Sequence, residues 1–405
     1  MIRLRLLLAA LLLTAAMLAC SGAAAPQAES PAGTVVAQTL QALASATLPA
    51  TPLPTQTLAP TTAPDPLPHP LYFLNNDKTG LLQVFRLARD GKTIQQMTFE
   101  PAAVESYDVS PKDGSLVYDT NNQMYWVDAS GAGRRLLVDG GPVDDNTRFT
   151  NSVGVPVWSP DGAIIAFSHG GLNFYTVASG AINKVMENQI DSSAGFPVVR
   201  ELYGPVGYSP DGSKLLISIG FYEGGTYGIY HPADNTLVRL SRADGGMVCC
   251  DLRWVPDGSG LYVSSPSIGI IESGLWYVDA STGTVTTLLP GSASDTTYNF
   301  ADAPQVGRDG KLYFFFNNLP QIPTGHTPMY LVRSGTDGVT GREQLQPNAF
   351  NGINEVLWAP DASLTVVAFA PVEDVTVGGE AEIVYPDGRP NLSLVPFAEQ
   401  LRWGP

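Results

Sequence analysis

Charge and cysteine are what this sequence has least of. Only 15% of its 405 residues are Asp, Glu, Lys or Arg, and 22 of those are basic, which leaves a net charge of −16. A chain this acidic is a poor partner for nucleic acid or for an anionic membrane surface. Three cysteines cannot staple a disulfide scaffold, and none has the Cys-x-x-Cys spacing of a zinc site. The four histidines, His69, His169, His231 and His326, are spread along the chain and give no metal-ligand pattern. No Gly-x-Ser-x-Gly nucleophile elbow occurs, and the glycine-rich run Glu223–Gly228 lacks the following lysine and helix that phosphate binding needs. What the chain does have is 41 Gly, 33 Pro, 16 Tyr and 15 Phe, a composition of many short strands and turns.

The one long apolar run stands at the start. Arg3 and Arg5 precede a stretch from Leu6 to Leu18 broken only by Thr14. It is short for a membrane span and suits an export signal over residues 1–19. Its end, Met17-Leu18-Ala19-Cys20, resembles a bacterial lipoprotein signal, in which the cysteine after a small residue becomes the acylated N-terminus. The resemblance implies lipid attachment at Cys20 and a location in the cell envelope, on the extracytoplasmic side of a membrane. An ordinary cleaved signal with an incidental cysteine is the other reading. Residues 20–68 are rich in Ala, Pro and Thr, with Glu29 and Asp65 their only charges. Such a segment cannot bury enough apolar surface to fold, and it reads as a flexible tether.

The remainder, 69–405, repeats itself. Val157-Trp-Ser-Pro-Asp-Gly-Ala-Ile-Ile-Ala-Phe167, Gly207-Tyr-Ser-Pro-Asp-Gly-Ser-Lys-Leu-Leu-Ile217 and Arg253-Trp-Val-Pro-Asp-Gly-Ser-Gly-Leu-Tyr-Val263 are near copies, with weaker ones around Gly114, Gly310 and Ala362. The turn positions are 48, 50, 46, 52 and 52 residues apart. Proline presets the turn, aspartate folds back on it, and glycine takes the positive φ at its exit. Each copy is therefore strand, turn, strand, and two further strands follow before the next copy. Four strands per repeat of about 50 residues without helical patterning is a propeller blade. Residues 71–99 lack a first strand, and the terminal Glu399–Pro405 supplies one without its sequel. The expectation is an all-β, seven-bladed β-propeller of four-stranded antiparallel blades, closed as a ring by the C-terminal strand.

These motifs resemble the WD-like repeats of the TolB-type propeller superfamily, over about residues 70–405. The resemblance implies the fold. For function the expectation is a non-catalytic, monomeric module at the envelope, membrane-bound through its lipid, that binds a protein or a glycan. The alternatives are a lyase-like propeller enzyme acting on polysaccharide, and a purely structural propeller.

Candidate site residues fall on one rim, where the loops entering each first strand meet the loops between second and third strands. Glu105, Asp302 and Glu399 occupy equivalent positions there and are expected to hold a divalent cation, Ca²⁺ by their oxygen chemistry. Arg148, Phe149, Arg200, Tyr203, Tyr298 and Phe300 lie on the longest loops and are the expected ligand contacts. Cys249 and Cys250 stand in the loop entering the fifth repeat. In an oxidising compartment they can join as a vicinal disulfide, an apolar knob on which a ring could rest. Two reduced, partly buried thiols are the other reading.

Overall fold

The Pro-Asp-Gly turns set the local geometry. In a computed structural model describing residues 64–405, apart from Ala194, Met247, Ile270 and Asp295, φ is positive at Gly114, Gly162, Gly212, Gly258 and Gly310. It is also positive, at 56°, at Ala362, the one copy without glycine. The aspartates fold back as expected: Asp161 accepts from Ser159 Oγ and Ala163 N, and Asp211 from Ser209 Oγ and Ser213 N. The expected signal and most of the expected tether, residues 1–63, lie outside the described residues.

The strands form six sheets. One contains Val104–Val109, Leu116–Thr120, Gln123–Val127 and Arg135–Asp139, the next Val153–Trp158, Ile164–His169, Gly171–Thr176 and Ala181–Glu187. Three more are built on the same antiparallel meander, through Val198–Tyr208, Asp251–Trp254 and Thr297–Val306, each extended by one short extra strand. The exception to antiparallel pairing is Ser241–Arg242, which runs parallel to Thr284–Pro290. The sixth sheet has seven strands and joins the two ends of the described chain. In it Leu392–Trp403 has two sets of partners. Val395 and Ala398 pair with Ala381 and Gly379, while Glu399, Arg402 and Trp403 pair with Leu74, Tyr72 and Leu71. The change-over coincides with positive φ at Gln400.

The core lies between neighbouring sheets. Trp158, Ile165 and Phe167 pack with Val117 and Met124 of the sheet before them, and Leu215, Ile217 and Ile219 pack with Ala166 and Leu172. Three motif tryptophans tie adjacent repeats through their indoles: Trp254 Nε1 donates to Gly207 O, Trp358 Nε1 to Ala303 O, and Trp403 Nε1 to Trp358 O. Leu67, expected in the tether, is fully buried with Leu71 and Leu87, and its amide donates to Arg89 O. The packed unit begins at Pro64, because this leucine finds apolar cover against the first strands. No helix among the described residues is long and apolar enough to cross a membrane.

Candidate ligand cavity

A cavity of about 790 Å³ opens between the sheet of Val153–Trp158 and that of Val198–Tyr208. The connection before Val153 builds one wall. Asp144 holds the amides of Asn146 and Thr147, and a single helical turn, Arg148–Asn151, follows. Phe149 O accepts from Asn188 Nδ2, and Asn188 Oδ1 accepts from Tyr203 N, so one amide side chain ties this turn to the next sheet. The floor is Leu202–Pro205 with Ser218, Ile219 and Gly220. A side chain at Gly204 would press within 3.0 Å of Ser168 Oγ and 3.1 Å of Ser218 Oγ beneath the cavity. The far wall is the hairpin Phe221–Gly224, a two-residue turn that lifts Tyr222 into solvent and aims Glu223 along the cavity edge. Val248, Cys249 and Ile271 complete it. Cys249 and Cys250 are joined in a disulfide, and Cys250 N donates to Ser264 O, which anchors the pair to its sheet.

Three of the six expected ligand contacts, Arg148, Phe149 and Tyr203, come together here. Tyr203 contributes its ring alone. Its hydroxyl donates to Glu201 and accepts from Gln189 Nε2, and Glu201 pairs with Arg239 at 2.8 Å. Burial and that carboxylate raise the Tyr203 pKa, and the Arg239 hydrogen bond lowers that of Glu201. The other three contacts are elsewhere. Arg200 pairs with Asp191 on an exposed strand edge. Phe300 is fully buried against Val367 and Trp358, and Tyr298 packs on the same cluster. Alternation along Thr297–Val306 turns Phe300 toward the neighbouring sheet rather than toward the rim.

The expected Ca²⁺ ligands are not brought together. Among the described residues no group of three His, Cys, Asp or Glu side chains could hold a metal ion. The inner strands keep Glu105, Asp302 and Glu399 apart, each with its own surroundings. Asp302 feels Asp251 and Arg253, Glu399 feels Glu355, and Glu105 is exposed beside Asp119. Positional equivalence in a repeat places residues on one level, but not within one coordination sphere.

These inner strands nevertheless carry perturbed carboxyls. Burial raises Asp108, Asp302, Glu355 and Glu399, with Arg402 opposing at Asp108 and Glu355. Asp119, buried and accepting from Ser106 Oγ, is pushed up to about 7, first by burial. An unfolded aspartate titrates near 4. Between those values the folded chain keeps a proton that the unfolded chain releases. The Asp119 contribution is therefore full below about pH 4 and lost as pH rises to about 7, by at most ~4 kcal/mol. Wild-type melting temperature should carry this downward component between about pH 4 and 7. Asp119→Asn should flatten it, and an unchanged pH slope would contradict the assignment.

No family model matches the sequence, and no curated protein does. Solved structures do resemble the fold. An oligogalacturonate lyase in complex with manganese shares 10% identity at a TM-score of 0.51, over 81% of this chain and 85% of that one. Prolyl oligopeptidase B from Galerina marginata shares 12% at 0.51, over 82% of this chain but only 49% of that one. TolB from Acinetobacter baumannii shares 14% at a TM-score of 0.41, over 79% of this chain and 77% of that one. At such identities the likeness is one of fold. With the antiparallel units described above, it makes the chain a β-propeller.

Proposed function

We propose that this protein is an exported lipoprotein, anchored through Cys20 at the cell envelope, whose propeller is a non-catalytic binding module for an envelope protein or glycan. In this reading the propeller has seven blades, and Leu392–Trp403 closes the ring by serving as the last strand of one blade and the first of another. The observation that carries the binding role is the cavity between the third and fourth repeats. Its size is that of a ligand site, it is roofed by two aromatic-bearing loops, and its lining residues include one carboxylate and one guanidinium with no histidine or lysine. Such a lining suits holding a partner better than moving its protons.

Ser152, exposed at the end of the helical turn, lines the mouth. Ser152→Trp would set an indole there without touching the core. Affinity capture from the protein's own envelope extract should recover a partner with the wild-type chain and lose it with this variant. Identical capture by both chains would place binding elsewhere.

A further inference from the structure

We infer that the cavity takes a small amphipathic anion, a ring or short apolar body carrying one carboxylate or sulfonate. This goes beyond the binding module proposed above and rests on it only in treating the cavity as open to ligand.

Three features point to this chemistry. The body of the cavity is apolar: Leu202, Ile219, Tyr227, Val248 and Ile271 line it, with Cys249 of the disulfide at its edge. Several of its neutral polar groups are already engaged, which leaves the hydroxyls of Ser152, Ser168 and Thr226 as the open ones. Asn188 holds Phe149 O and Tyr203 N, Ser218 Oγ donates to Gly204 O, and the Tyr203 hydroxyl belongs to Glu201. Apolar contact is available throughout the body of the cavity.

The third feature is charge. Arg148 is exposed at the mouth, its guanidinium 4.6 Å from the centre of the Phe149 ring. It makes no ion pair among the described residues, while most other arginines there, such as Arg134, Arg239 and Arg333, stand against a carboxylate. In a chain of net charge −16 a guanidinium without a carboxylate partner among the described residues, beside an apolar cavity, is the local exception. It offers planar, multiple N–H donors suited to a carboxylate or sulfonate. Glu223, on the hairpin wall and likewise without an ion pair among the described residues, repels an anionic group and fixes its direction. The charged end sits at Arg148 and the apolar body runs inward toward Tyr227 and Cys249.

Two fluorescent probes separate charge from apolar contact: 1-anilinonaphthalene-8-sulfonate and N-phenyl-1-naphthylamine, the same ring system without the sulfonate. They would be titrated into the chain expressed without residues 1–19 and with Cys20→Ala. The sulfonate probe should bind at one site, about tenfold tighter than the neutral probe. Arg148→Gln should weaken the sulfonate probe about five- to tenfold and leave the neutral probe unchanged. Glu223→Gln should tighten the sulfonate probe about twofold, and Ser152→Trp should abolish both. Equal affinity for the two probes, or indifference of the sulfonate probe to Arg148→Gln, would overturn the inference while leaving the cavity as a binding site. Absence of any saturable binding would overturn it too. The partner-capture experiment reports on the binding module separately, because it needs no small anion.

Discussion

Deleting residues 399–405 is expected to abolish cooperative folding, or to lower stability by about 6 kcal/mol or more. The segment supplies the strand half that pairs with Leu71–Asn76. Leu401 is fully buried, and losing a side chain of that size from a core costs about 2–5 kcal/mol. Several hydrogen bonds go with it, each worth about 1 kcal/mol net. Tyr107 donates to Gln400 O at 2.6 Å, Trp403 Nε1 to Trp358 O at 2.7 Å, and Gly404 N to Pro70 O at 2.9 Å. The deletion would also bare the edge of Leu71–Asn76 for pairing between molecules. Against a total of about 5–15 kcal/mol for an ordinary domain, this is most of the margin. Leu401→Ala tests the packing component alone and should lower stability by about 2–4 kcal/mol. Thermal melting checks both. A truncated chain that melts with the wild type would show that the ring is held without this strand.

Cys20→Ala should move the protein from the membrane fraction to the soluble one. Each buried methylene of an acyl chain contributes about 0.8 kcal/mol, and one chain alone holds only marginally. A doubly or triply acylated cysteine is held firmly, so the effect of removing its thiol is close to all-or-none. Detergent partitioning of the two proteins is the measurement. A variant that still enters the detergent phase would reject Cys20 as the anchor.

The turn motif made the repeat readable because its chemistry is local. Proline, aspartate and glycine act within five residues, and even Ala362 keeps the positive φ that its place in the alignment implied. The pairing of the terminal strand followed from comparing Leu252-Arg253-Trp254 with Leu401-Arg402-Trp403, two copies of one inner-strand pattern. The site was only half legible. Arg148, Phe149 and Tyr203 lie in long loops whose place in the repeat could be counted. Phe300 looked like a loop aromatic because the strand Thr297–Val306 begins earlier than the motif suggests. The wall formed by Phe221–Gly224 was missed, since Glu223–Gly228 was weighed for phosphate binding alone. Its signal was an aromatic pair, Phe221 and Tyr222, ahead of two glycines, with Tyr222 75% exposed. Glu105, Asp302 and Glu399 are not gathered into one group for a different reason. Sequence register gives the level of a residue within its repeat, whereas coordination depends on distances between repeats.

The strand Leu392–Trp403 also sets the order in which the molecule can be completed. Leu71 and Trp403 are neighbours in one sheet although nearly the whole described chain lies between them. During synthesis the N-terminal repeat emerges first and cannot receive this neighbour until the final residues follow. Non-local pairing of this kind delays folding, and it leaves the early repeat with an unfilled position until the chain is complete. A protein built this way depends on the time its chain takes to be completed. Slowing release of the last few residues should lengthen the interval in which the nascent molecule is open to proteolysis, with no change in the stability of the finished fold.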